Sequence, residues 1–277
     1  MSLKLMYITN RIDVAKIADE SGVDRIFVDM EYIGKEERQG GLDSVKSFHT
    51  ADDVRAIRNT IKNAELLVRV NPIHDATDEH HGSKKEIDDV VGAGADIIML
   101  PMAKTVCEIE KFVEYVGKRA KTILLLETSE AADKIDEMLS VGGIDEVHIG
   151  LNDLHLSKSK KFMFELLTDG TVESLCKKIS RFDIPYGFGG IARLGYGMLP
   201  AENVIVEHYR LGSSMAILSR SFCNIDKENN TSEIEKIFKY EIKKIREFEQ
   251  SVSKYSKEQL EKNQAETACL VRKIVER

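Results

Sequence analysis

Residues 96–128 read DIIMLPMAKTVCEIEKFVEYVGKRAKTILLLET, and the order of patterns within them decides the fold. Two short runs, Asp96 to Met102 and Lys121 to Thr128, are apolar without alternation, as strands covered on both faces are. Between them, Val106 to Val116 carries apolar residues at helical spacing and stops at Gly117, a residue suited to the left-handed end of a helix. A strand, a helix and a strand in that order form a unit of parallel sheet with the helix outside it.

The unit repeats in both directions. Further runs of strand character lie at Leu3 to Thr9, Arg25 to Met30, Glu65 to Val70, Glu146 to Asn152, Pro185 to Gly190 and Met215 to Phe222, which brings the count to eight. Helical spacing separates them, as at Asp13 to Ser21, Ala51 to Lys62 and Glu130 to Ser140, followed by Gly22, Asn63 and Gly142. Eight alternating units predict a (β/α)8 TIM barrel over residues 1–230. The other architecture considered, a doubly wound sheet, lacks the GxGxxG that would follow its first strand. The stretches after strands two, three, six and seven (31–49, 71–83, 152–161 and 187–200) are long and polar, and in a barrel all of them lie on the C-terminal face, where ligands bind.

Composition narrows the function classes. The chain of 277 residues has a net charge of −7 and 42% hydrophobic residues, the balance of an ordinary globular protein. Its longest basic block is Lys158-Ser159-Lys160-Lys161 and it has no Trp, so neither a phosphate-backbone surface nor a base-stacking platform is expected, and no nucleic-acid partner. No stretch has the length and apolarity of a membrane span and no cleavable leader opens the sequence, so a cytoplasmic protein without a membrane partner is expected. Cys107, Cys176, Cys223 and Cys269 are widely spaced and read as reduced structural thiols.

Residues 231–277 extend beyond the barrel. Ser232 to Val252 places Ile234, Phe238, Ile242 and Ile245 on one stripe behind a capping box expected at Ser232 to Glu235, and this helix closes the barrel. A second helix from Lys257 to Glu276, with Ser256 and Gln259 as its cap, has no place in the eightfold pattern. It packs either on its own barrel or on a neighbouring subunit, and a homo-oligomer formed through the C-terminal helices is expected.

Charged residues at the C-terminal ends of apolar strands are the chemically informative ones, because an uncompensated charge there is costly. Strand two ends Asp29-Met30-Glu31, strand three carries Arg69, strand five ends in Glu127, and strand six runs into Asn152-Asp153. Strands seven and eight are followed by Arg193 and Arg220. Glu127 and Asp153 come from consecutive strands, so their carboxylates can converge. Two carboxylates completed by water and substrate oxygens suit Mg2+ or Mn2+ better than zinc. Arg69 would face an anionic substrate with a fork that matches a carboxylate. Lys35, Arg38 and Arg193 are candidate anchors for the distal end of a long acidic substrate. The Gly187-Phe188-Gly189-Gly190 string reads as tight barrel packing in preference to a phosphate cradle, and His80-His81 as a solvated loop.

Five strings then share a resemblance. Phe27-Val28-Asp29-Met30-Glu31, Leu67-Val68-Arg69-Val70-Asn71-Pro72, Gly94 to Pro101, Leu126-Glu127-Thr128-Ser129-Glu130-Ala131 and Ile149-Gly150-Leu151-Asn152-Asp153-Leu154 resemble, in order, the HpcH/HpaI aldolase and citrate lyase β-subunit family of phosphoenolpyruvate/pyruvate-binding barrels. That resemblance implies Glu127 and Asp153 as ligands of Mg2+ or Mn2+. It implies Arg69 as the group that holds a keto-acid oxygen and stabilises an enolate, with the amides of Gly150, Leu151 and Asn152 binding the substrate carboxylate. Asp29 and Glu31 would orient water or the loop, and Lys35 and Arg38 would contact substrate. The implied function is a metal-dependent carbon–carbon lyase acting on a hydroxy-oxo acid through a pyruvate-like enolate, with pyruvate or an aldol adduct of it as the small-molecule partner.

One position departs from both branches of the family. The aldolase branch ends strand two in Asp-x-Glu-His, with that His as general base, whereas Tyr32 stands here. A tyrosine with an ordinary pKa near 10 is a poor base at neutral pH. The citrate lyase branch has Asp-x-Glu-Asp followed by a Lys-x-x-Arg-like segment, which Lys35-Glu36-Glu37-Arg38 resembles. His49 and His155 are the candidate replacements for the base. The departure leaves two further readings, an acyl-CoA thioester lyase on the same metal site and a non-catalytic keto-acid-binding or partner-dependent subunit.

Overall fold

Eight short strands pair in parallel, each with its sequence neighbours, and the first closes on the last. They are β1 (Lys4–Ile8), β2 (Arg25–Asp29), β3 (Glu65–Arg69), β4 (Ile97–Leu100), β5 (Lys121–Leu126), β6 (Glu146–Ile149), β7 (Tyr186–Ile191) and β8 (Met215–Leu218). The computed structural model describes residues 2–34, 49–78, 80–225, 228 and 230–276. The barrel expected from the eight apolar runs is therefore the fold.

Helices α1 (Ile12–Glu20), α2 (Ala51–Arg58), α3 (Ser83–Gly92) and α4 (Val106–Val116) cover the first half of the sheet. Thr50 and Thr105 open α2 and α4 with reciprocal capping boxes to Asp53 and Glu108, which the sequence reading did not pick out, and Gly117 ends α4 in the left-handed region, as expected. The single helix expected over Glu130 to Ser140 is instead two, α5 (Ser129–Asp133) and α6 (Ile135–Ser140). The break at Lys134 lets Ala131 and Ala132, and then Ile135, Met138 and Leu139, all turn toward the barrel. The loop expected over 152–161 is another correction, because α7 (Leu151–Ser157) begins directly behind β6. It is followed by α8 (Glu165–Thr168), α9 (Thr171–Ile179) and, after β7, α10 (Ala201–Arg210).

The two C-terminal helices are α11 (Thr231–Val252) and α12 (Lys257–Val275). The cap of α11 is Asn230, whose side chain accepts from the Ser232 amide, so the box expected at Ser232 is displaced by an equally good cap just ahead of it. Helix α11 lies against α1 and closes the ring, while α12, capped as expected by Ser256 and Gln259, packs on α10 and α8 of its own barrel. A buried polar contact fixes that docking: Asn263 Nδ2 donates to Glu207 Oε1 at 3.0 Å, and Asn203 Nδ2 donates to Asn263 Oδ1 at 3.0 Å.

Inside the barrel the side chains stack in tiers. Charged residues that open the strands form the floor: Arg25 reaches from β2 across to Glu146 on β6 with two hydrogen bonds of 2.6 and 2.7 Å, and also donates to Glu65 at 3.0 Å. Above them lies an apolar tier of Met6, Phe27, Leu67, Ile97, Met99, Ile123, Leu125 and Met215. The glycines of β7 serve this packing, for a Cβ on Gly187 would come within 2.2 Å of the Met215 backbone oxygen. The third tier, at the C-terminal ends, is again charged.

Candidate active site

The charged tier is built on Arg69, the last residue of β3. Its Nε and Nη2 donate to the two carboxylate oxygens of Asp29, at the end of β2, at 2.8 and 2.7 Å. A third nitrogen, Nη1, sits 3.2 Å from Glu31 Oε2. Parallel pairing sets Asp29 directly beside Arg69, so the sequence spacing of two strands becomes a fork-to-fork contact. The guanidinium lies 5.8 Å over the Phe27 ring. Burial works against its charge, but Asp29 and Glu31 outweigh that and raise its pKa well above the ordinary value.

Glu127 follows β5 and is 3% exposed, which makes it the most chemically constrained carboxyl of the tier. Its Oε1 accepts the amide of Met102 at 3.0 Å. Met102 adopts a left-handed backbone (φ 54), a conformation that costs a non-glycine residue about 1–2 kcal/mol, and that geometry aims its amide at Glu127. On the other side, a Cβ on Gly150 would come within 2.9 Å of Glu127 Cβ and 3.0 Å of Oε2, so only glycine fits this close approach. Burial pushes the Glu127 carboxyl up to about 8; Arg69 opposes this, while the negative charges of Asp153 and Glu31 reinforce it. Asp153 is half-buried in the first turn of α7.

Glu127, Asp153, Glu31 and Arg69 are thus brought into one electrostatic neighbourhood, with Asp29 behind Arg69. Of the amides expected to bind a carboxylate, that of Gly150 already donates to Leu126 O at 2.9 Å, which leaves Leu151 and Asn152 at the start of α7, where a helix leaves its first amides without intrahelical acceptors. Lys35 and Arg38 lie outside the described residues. Arg193 is half-buried in the loop after β7, and Arg220 is exposed after β8.

Tyr32 is 42% exposed, and burial followed by the charge of Glu86 raises its hydroxyl further, away from the range of a base. His49 is buried, and His155 lies in the last turn of α7 with Nδ1 3.2 Å from Leu151 O. Among the described residues no cluster of three His, Cys, Asp or Glu side chains has the geometry of a complete metal cage.

The sequence reading missed the supports of this site. Asn71 accepts the amides of Tyr32 and Ile33 on its Oδ1, both at 2.9 Å, and donates from Nδ2 to the half-buried Glu86 at 2.8 Å, so β3 holds the chain leaving β2. The position of Asn71 directly after a strand was a visible signal; Glu86, fifteen residues on, gave none. His148 also went unnoticed. It lies buried on β6 beneath Gly150, with Nε2 3.2 Å from Gly189 O and Nδ1 without a partner.

Comparison with known proteins identifies the family. The family model for HpcH/HpaI aldolase/citrate lyase matches residues 5–161, more than half of the chain. This chain belongs to that family. Its matched segment contains Asp29, Glu31, Arg69, Glu127 and Asp153. None of the curated proteins matches the sequence. Among solved structures, the HpcH/HpaI aldolase from Desulfitobacterium hafniense DCB-2 superposes with a TM-score of 0.60 at 16% identity, covering 79% of this chain and 86% of its own. A HpcH/HpaI aldolase/citrate lyase family protein from Burkholderia cenocepacia J2315 gives 0.62 at 13% identity, covering 84% and 95%. At such identities the likeness establishes the shared barrel. The family is one of carbon–carbon lyases of the aldolase type. No helix of the described residues is long and apolar enough to cross a membrane.

Proposed function

We propose that the protein is a Mg2+- or Mn2+-dependent carbon–carbon lyase that cleaves or forms a hydroxy-oxo acid through a pyruvate-like enolate. The observation that supports this reading is the buried Glu127 carboxyl, which Arg69, Asp153 and Glu31 all influence by their charge. Glu127 and Asp153 would hold the cation, and carboxylate oxygens are the donor type that a hard cation prefers. Burial and neighbouring negative charge disfavour ionised Glu127, and a divalent cation between Glu127 and Asp153 would reverse both effects. Such an ion supplies Lewis-acid polarisation of the keto oxygen.

The remaining roles belong to the chain itself. Arg69, held rigid by Asp29 and Glu31, presents a fixed positive charge where enolate oxygen charge develops, without reorganisation at the moment of reaction. The Leu151 and Asn152 amides offer donors for the substrate carboxylate. The apolar tier under Arg69 keeps water from approaching from below. Gly150 and Met102 set the position of the Glu127 carboxylate from either side.

Titration calorimetry with Mg2+ or Mn2+ together with pyruvate or oxalate tests the assignment. Saturable ternary binding in the wild type, lost in Glu127→Ala, is expected; no ternary binding, or unchanged binding in the variant, overturns it. Tyr32 supports a second reading, a keto-acid-binding subunit without a base. Deuterium exchange into the pyruvate methyl group separates the two, because tight binding without exchange matches only the second. A homo-oligomer through α11 and α12 would use the faces that these helices turn away from their own barrel, since α12 buries Asn263, Thr267 and Val271 against it; light scattering checks the assembly.

A further inference from the structure

Around the barrel mouth, the β7 side differs from the acidic tier in one respect: it carries a cation that no described residue neutralises. Arg193 stands two residues beyond β7, on the C-terminal face, in the loop that runs to α10. It makes no ion pair with any described residue, and its buried Nε has no hydrogen-bond partner. Neighbouring arginines are treated differently: Arg11, at the end of β1, is paired to Asp13 through two contacts of 3.2 and 2.7 Å, and Arg69 is held by Asp29 and Glu31.

The local carboxylate does not fill the gap. Glu202, in the first turn of α10, accepts the Gly195 amide on Oε1 at 2.7 Å, and its Oε2 is buried without a partner. Donor and acceptor therefore share one loop and remain apart, although pairing them would be the simplest structural solution for both. What holds Arg193 is an aromatic face: its guanidinium lies 4.4 Å over the Tyr196 ring, within a turn closed by Tyr196 N donating to Arg193 O at 3.0 Å. A stacked guanidinium keeps its plane fixed, and a fixed plane with an unused N–H donor suits an oxyanion. Tyr196 and Met198 beside it are 52% and 72% exposed, an unusual pair of large side chains to leave in water.

We propose that Arg193 and Tyr196 form a second anion subsite, which binds a carboxylate or phosphate group of the substrate at a distance from the Arg69 tier. The extension to the substrate rests on the proposed keto-acid chemistry. The subsite itself requires only an oxyanion.

Two titrations separate these claims. In the first, metal-free protein is titrated with succinate and, separately, with inorganic phosphate, in wild type, Arg193→Gln and Arg181→Gln, the last removing a 70% exposed arginine from the opposite face. One anion should bind saturably and identify the group, weaken at least tenfold in Arg193→Gln, and be unchanged in Arg181→Gln. Failure of both anions to bind, or equal binding by Arg193→Gln, overturns the subsite. In the second, pyruvate with Mg2+ should bind Arg193→Gln within twofold of wild type; absence of pyruvate binding in the wild type would refute the keto-acid reading while leaving the anion result to stand or fall alone. Retention of the wild-type unfolding temperature by Arg193→Gln shows that a lost anion site is not a lost fold.

Discussion

At the scale of single residues, the site depends on fixed positions more than on unusual residue types. Glu127 is held between the Met102 amide and the Gly150 backbone, so a methyl group on the latter must move the carboxylate. Gly150→Ala is expected to keep the fold, judged by its circular dichroism, and to weaken metal–oxalate binding at least tenfold by calorimetry. Arg69 combines a bidentate contact with a third ion pair, a geometry that the single ammonium of lysine cannot reproduce. Arg69→Lys should lower stability in urea by about 1–3 kcal/mol, since two buried carboxylates lose part of their partner. The roles of Asp29 and Arg69 were legible because a charge ending an apolar strand must be compensated. Their mutual pairing was not legible, since register is a property of two strands.

At the scale of elements, the strands were readable from apolar runs and most helices from their caps, and the errors fell where local signals were ambiguous. Asn230 and Ser232 are both good caps, and only packing selects between them. Glu130 to Ser140 has unbroken helical spacing, yet the chain pauses at Lys134 so that both halves face the sheet. The docking of α12 was undecidable from its stripe, because Asn263 and Thr267, which bury most deeply with Val271, are polar. Asn263→Ala should cost about 1–3 kcal/mol in a urea titration, because it leaves Glu207 and Asn203 short of partners in a buried place. Lys262→Ala, on the exposed side of the same helix, should change stability by no more than about 0.5 kcal/mol.

At the scale of the whole molecule, two buried histidines tie folding to pH. Burial holds His148 down at about 4, and burial with the neighbouring charge of His148 holds His208 at about 3, against an ordinary value of 6.5. Above pH 6.5 both rings are neutral whether the chain is folded or not, so they contribute no pH dependence. As the pH falls below 6.5 the unfolded chain takes up protons that the folded one refuses, and stability declines until the folded rings titrate near 4 and 3. The full effect is about 3 kcal/mol for His148, and His148→Gln should roughly halve the fall in the urea midpoint between pH 6.5 and 4, with His208 carrying the rest. The two ends of the chain are also tied: the Leu3 amide donates to Glu249 at 2.7 Å, Arg246 donates to Leu3 O at 2.7 Å, and β1 pairs with β8. During synthesis, then, the first strand emerges with one edge open and finds its second neighbour only after more than two hundred further residues have been made. An exposed parallel edge in a nascent chain invites wrong partners. The ring therefore closes late, since the β1 edge that pairs with β8 has no native partner until residues 215–218 have been made.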